Sequence, residues 1–280
     1  MPSFDTPEHV SVNAYVYAGS IQFTTGDRLG SLVEVLPRDP KKDLDVRTAE
    51  QTEVSCANGV LTITTPKAGL LGRGGTVDVT VALPTGSAID VTGEGTSVIS
   101  EGRLGEVRVK TSAGDVRLDT TGPVNLKVPH GSTTVDRVEG SAEITSSTGN
   151  VRVGLIDGPA SLKNTHGTTA IGAVTGELRL KGAHGGIDIA RAEASVTGTT
   201  THGMVRLAEV VRGEVQLETS NGSIEIGIRE GTAAWLDVRT TRGQVRNTLD
   251  SSKAPEQSEE SVTVRARTNW GNIDIRRAKV

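Results

Sequence analysis

Glycine recurs in this chain with a period that few folds can satisfy. Gly114, Gly131, Gly149, Gly167, Gly185, Gly203 and Gly222 follow one another at intervals of 17, 18, 18, 18, 18 and 19 residues. A second series (Gly105, Gly122, Gly140, Gly158, Gly176, Ala194, Gly213) keeps the same period, about half a repeat out of phase. A fixed period of this kind is the signature of stacked structural units. A propeller blade needs ~40 residues and four strands, so this repeat is too short for one.

The residues between the glycines say what each unit is. Two and four positions after each glycine of the first series stand Val116 and Leu118, Thr133 and Val135, Val151 and Val153, Thr169 and Ile171, Ile187 and Ile189, Val205 and Leu207, and Ile224 and Ile226. Alternation with period two puts each pair on one face of a strand. Polar residues such as Arg117, Arg152, Asp188, Arg206 and Glu225 fall between them and point to water. The second half of each repeat carries its own pair, as in Val124 and Leu126 or Leu178 and Leu180. Each unit is therefore two short strands joined by glycine-bearing corners, and one unit alone cannot bury its apolar face. Stacked at ~4.8 Å per rung, the units share a continuous core. The predicted fold is all-β, a β-solenoid (parallel β-helix-like) of rungs of about 18 residues.

Composition agrees. Aromatic residues make up 2 % of the chain, against 34 glycines. A narrow interior filled by Val, Ile and Leu has little use for large rings. The net charge of −4 leaves no basic stripe, which disfavours nucleic acid as a partner. Cys56 is the only cysteine, so no internal disulfide can form. No stretch approaches the ~20 apolar residues of a membrane span. Met1 to Val12 carries Asp5, Glu8 and His9 and no apolar run, unlike a secretory signal. The expected location is the cytoplasm, or the cell surface for a chain from which a leader or anchor has been removed.

The two ends are less regular. Residues 1–92 read as β-strands (Val10 to Tyr17, Leu32 to Leu36, Val60 to Thr64, Val77 to Leu83) that pack on or cap the solenoid. Residues 93–280 form the repeats, with a polar insertion near 250–261. Solenoid ends need covering, a role expected of the N-terminal strands and of the C-terminal segment holding Trp235 and Trp270.

The segment Val77-Asp-Val-Thr-Val-Ala-Leu-Pro84 precedes units of the form Thr-Ser-x-Gly-x-Val-x-Leu: Thr111 to Leu118, Ser146 to Val153 and Thr219 to Ile226. In these motifs the chain resembles the DUF4097 family, whose members are labelled "putative adhesin" and linked to toast-rack-like β-repeat domains. The resemblance runs from about residue 10 to the end. It implies the repeat architecture and a surface role, and it offers no catalytic residues to carry over.

One column of the repeat stands out chemically. The position before each first-series glycine holds Ala113, His130, Thr148, His166, His184, His202 and Asn221, with Arg242 further on. Four of the five histidines lie in it, three of them 18 residues apart. His-Gly reads most simply as a corner dipeptide copied along with the repeat. The alternative is a metal or small-ligand site in which His130, His166, His184 and His202 surround a Zn²⁺, helped by Thr165, Thr200 and Thr201. No other cofactor is expected.

Other motifs carry less. Gly185-Gly186-Ile187-Asp188 approaches the calcium nonapeptide pattern but has no copies. Gly69 to Gly75 lacks the Gly-Lys-Ser/Thr ending of a phosphate loop. Asp188, Glu225 and Asp274 could serve a carbohydrate-active enzyme, which needs two carboxyls at set separation, yet any soluble strand shows outward carboxylates. The sequence thus points to a non-enzymatic structural or interaction protein, a rigid scaffold for protein–protein contact or self-association. Ligand binding by the histidine column is the second reading, and a carbohydrate-active enzyme the third.

Overall fold

A computed structural model describes residues 2–6, 8–67, 74–249 and 260–278. They form two compact units, Met1–Glu139 and Gly140–Val280. The first comprises β1 (Ser3–Asp5), β2 (Ser11–Gly26), β3 (Gly30–Pro37), α1 (Asp43–Glu50), β4 (Glu53–Ala57), β5 (Val60–Thr64), β6 (Val77–Pro84), β7 (Ala88–Glu101), β8 (Val107–Ala113), β9 (Val116–Thr121), β10 (Val124–His130) and β11 (Thr133–Val138).

Its parallel ladders begin earlier than the glycine period suggests. The long strand β2 pairs in parallel with β7 along both halves, Ser11 opposite Ala88 and Ser20 opposite Ser97. On its other side it pairs in parallel with β5 and β6. β8 and β10 then stack on the first half of β7, and β9 and β11 on the second. Strands β3 and β4 finish the set as antiparallel partners of β6 and β5. The predicted strands at Val10 to Tyr17, Leu32 to Leu36, Val60 to Thr64 and Val77 to Leu83 fall in β2, β3, β5 and β6.

The helix α1 was not expected. Asp45, buried on it, explains its docking: the carboxylate accepts from the backbone N–H of Thr76 (2.9 Å) and of Asp39 (3.3 Å). Two loop donors are thereby satisfied by one side chain.

The second unit comprises β12 (Ala142–Thr148), β13 (Val151–Ile156), β14 (Ala160–His166), β15 (Thr169–Val174), β16 (Leu178–His184), β17 (Ile187–Ala192), β18 (Val196–His202), β19 (Val205–Val210), β20 (Gly213–Asn221), β21 (Ile224–Ile228), β22 (Ala233–Arg242), β23 (Val245–Asn247), β24 (Ser261–Trp270) and β25 (Ile273–Arg277). Each rung is one strand of six or more residues, a glycine corner and a second, usually shorter strand. Both ladders are parallel and in register, so Val153, Ile171, Ile189, Leu207, Ile226 and Ile275 form one continuous buried column. The predicted solenoid of two-strand rungs is what the chain forms.

The corner dictates glycine. Gly185 adopts φ +145°, and a Cβ placed there would lie 2.0 Å from the carbonyl oxygen of Gly167 on the neighbouring rung. Only a residue without a side chain lets the rungs close to strand spacing here.

The last rungs do not stack in chain order. β24 and β25 insert between β20–β21 and β22–β23. Burial gives the reason: Val262, Val264, Ala266, Ile273 and Ile275 are almost wholly buried, whereas on β22 and β23 Leu236 and Val238 are half-buried and Val245 is exposed. The rung with the stronger apolar pattern takes the inner position. The cap expected of Trp235 and Trp270 is thus divided, Trp270 on the inserted rung and Trp235 on the terminal one, both exposed. Most of the insertion at 250–261, and residues 68–73 of the glycine-rich loop, lie outside the described residues.

Candidate functional site

Parallel register turns the sequence column into a physical one. In the second unit Thr148, His166, His184, His202, Asn221, Trp270 and Arg242 lie opposite one another on successive rungs. They sit at the ends of β12, β14, β16, β18, β20, β24 and β22, just before the corner, and from His166 onward all are exposed. The rings of His166 and His184 stack with centroids 5.0 Å apart and planes 15° apart. His184 and His202 stack at 4.7 Å and 14°. The Arg242 guanidinium lies 4.1 Å from the Trp270 ring centre, a cation–π contact. His130 holds the same corner position in the first unit, in register with Ala113.

The spacing is the strand spacing of ~4.8 Å, imposed by the backbone. That geometry is poor for chelation as it stands. A zinc ion takes nitrogens at ~2.0–2.1 Å along converging lone pairs, and the lone pairs of near-parallel rings run side by side. Among the described residues no group of three or more His, Cys, Asp and Glu is arranged to hold a metal. The hydroxyls expected to assist are divided: Thr200 is buried and faces the core, Thr165 is half-buried, and Thr201 is exposed.

Trp270 is the column member that sequence reading missed. The signal was present, because Trp270-Gly271 is followed by Ile273 and Ile275 at the corner spacing. Strict chain-order stacking hid it.

Two of the outward carboxylates, Asp188 and Glu225, are ion-paired. Asp188, Arg206, Glu225 and Asp274 form one column on the other ladder. Arg206 lies 3.6 Å from Asp188 and 3.9 Å from Glu225, and Arg276 reaches Glu225 at 3.9 Å. Exposed pairs of this kind contribute little stability. At the terminal rungs Arg267 hydrogen-bonds the Asp237 carboxylate and holds it below the ordinary aspartate range. Cys56 is free and half-exposed. Among the described residues no helix is long and apolar enough to cross a membrane.

These ladders define a β-solenoid repeat protein with an exposed aromatic and polar column. The family model "Toastrack DUF4097" matches residues 32–276, and the chain belongs to that family. No curated protein matches it. Among solved structures it is similar to a "putative adhesin" of Bacteroides fragilis NCTC 9343, with 14 % identity, 98 % of this chain and 95 % of that one covered, and a TM-score of 0.39. A "putative adhesin" of Parabacteroides distasonis ATCC 8503 gives 13 % identity over 98 % and 95 %, with a TM-score of 0.45. A "putative lipid binding protein" of the same organism gives 11 % identity over 99 % and 96 %, with a TM-score of 0.33.

Proposed function

We propose that this chain is a non-enzymatic, adhesin-like scaffold that presents a regular surface to a protein partner or to further copies of itself. The observation that carries the reading is the exposed, register-locked column from His166 to Arg242. Strand pairing holds its planar groups at constant spacing, so ordering them on contact costs little side-chain entropy. Trp and Arg are also the residues most enriched at the energetic centres of interfaces.

Light scattering over a concentration series tests self-association directly. The mass is expected to rise with concentration, and the rise to weaken in H184S/W270S. A chain whose mass and partner binding are both indifferent to that double substitution overturns the reading.

Metal or small-ligand binding by His166, His184 and His202 is the second reading, supported by their adjacency on consecutive rungs. It requires the exposed rings to rotate out of the stack. About one zinc per chain in untagged protein, lost in H166A/H184A, would favour it over the scaffold.

A further inference from the structure

Beneath the corners runs a buried polar column. Ser146, Asn164, Gly182, Thr200, Thr219, Thr268 and Thr240 occupy the inward position nearest the corner on successive rungs. Four of them make the same bond, donating to the carbonyl of the corner glycine one rung away. Asn164 Nδ2 reaches Gly149 O at 3.0 Å, Thr219 Oγ1 reaches Gly203 O at 3.2 Å, and Thr268 Oγ1 and Thr240 Oγ1 reach Gly222 O and Gly271 O at 2.9 Å each.

Ser146 and Thr200 do not make this bond, and at residue 182 it would run to Gly167 O. Glycine has nothing to donate, and three irregularities gather at that rung. Asn164 Oδ1 is buried without a partner. So is Thr200 Oγ1, 3.1 Å from where a Cβ on residue 182 would stand. A cavity of about 10 Å³ lies beside Gly182, lined by Asn164, Gly167, Thr169, Gly182 and Gly185 among others. Unpaired buried acceptors are costly, and this volume matches the ~10–15 Å³ threshold for one water molecule.

We propose that the cavity binds a single structural water that replaces the missing side chain of residue 182. The water donates to Gly167 O and to Asn164 Oδ1 and accepts from the Thr200 hydroxyl. Three oxygen contacts suit a water, which makes two to four bonds. They are too few for a hard cation, which takes six or more oxygens. The bound water thus supports the corner carrying His166 and His184 in the way that threonine supports the later corners.

Two measurements on the full chain test this. A crystal structure that resolves ordered waters is expected to show one peak within hydrogen-bonding distance of Asn164 Oδ1 and Gly167 O. Thermal melts of G182S and G182A supply the second. Gly182 has no left-handed φ, and the one tight contact of an added Cβ is the Thr200 side chain, with Oγ1 at 3.1 Å, which needs to give by only a few tenths of an ångström, so both variants fold, and both gain equally from a stiffer unfolded chain. Serine brings a hydroxyl for this bond, whereas alanine displaces the water without replacing its bonds. G182S is therefore expected to melt above G182A. Either an empty cavity or a serine variant that melts no higher than the alanine variant overturns the proposal.

Discussion

Gly185 and Gly186 are neighbours in sequence, yet replacing each by alanine should have opposite consequences. Gly185 has φ +145°, and its added Cβ would meet Gly167 O at 2.0 Å, Gly167 C at 2.6 Å and Gly167 N at 3.2 Å. All three are backbone atoms, so no side chain can swing away. Relief requires the two rungs to separate at the corner, where Gly167 N–H donates to His184 O and Thr169 N–H to Gly186 O, each at 2.9 Å. The strained conformation costs ~1–3 kcal/mol. Losing the two hydrogen bonds costs ~0.5–1.5 kcal/mol each. The expected destabilisation of G185A is about 2–6 kcal/mol. At Gly186 the nearest atom to an added Cβ is Met204 O at 3.6 Å, an ordinary contact, and no left-handed φ is required. G186A should be neutral or stabilising by ~0.4–1 kcal/mol through the unfolded chain. Urea unfolding followed by far-UV circular dichroism measures both, and the comparison depends on the difference in midpoint at unchanged slope. If the two variants unfold within ~1 kcal/mol of each other, backbone contact between rungs is not what selects glycine at the corner.

Three further outcomes follow from the same structure. I189A empties a fully buried position of the continuous aliphatic column and should cost ~2–5 kcal/mol in the same assay. D45A strips the N–H groups of Thr76 and Asp39 of their acceptor and should cost ~1–3 kcal/mol, with amide exchange at Thr76 rising against an unchanged core. Asp237 ionises below the ordinary aspartate range because Arg267 hydrogen-bonds its charged form. A lowered folded value stabilises above the unfolded one and is lost as pH falls through the folded one. The difference in melting temperature between the parent and D237N should therefore persist at neutral pH and fade as pH falls below the ordinary aspartate range. Carboxyl NMR of R267A should return Asp237 to the ordinary range.

What the sequence disclosed was what recurs. Where a rung follows its predecessor at constant spacing, glycine and the aliphatic pairs mark it in every copy, and the strands from Val107 to Ile228 were legible for that reason. Legibility failed where the chain detours. β2 obeys the corner rule, since Gly19 has φ +132° and is followed by Ile21 and Phe23 in the core. Its spatial neighbours β5, β6 and β7 lie far along the chain, so no interval in the sequence reports the pairing. The same holds for β24, inserted ahead of β22. The helix α1 depends on Asp45 meeting the backbone of Thr76, a contact without periodicity. In the candidate site the histidine stack was readable because register is a consequence of period. Thr200, expected to help hold a ligand, faces the core, because an outward position and an inward one differ by a single residue at a corner.

The central claim is that residues one period apart are neighbours in register. Lys163, Lys181 and Thr199 stand opposite one another on β14, β16 and β18, with both lysines exposed. In a C56S background, K163C/K181C places two cysteines one rung apart, at ~4.8 Å, within the ~4.4–6.8 Å that a disulfide spans. K163C/T199C places them two rungs apart, at ~9.6 Å, beyond that reach. Mild oxidation followed by non-reducing mass analysis should show complete crosslinking of the first pair and none of the second. Equal crosslinking of both, or of the second alone, would contradict the stacked-rung account.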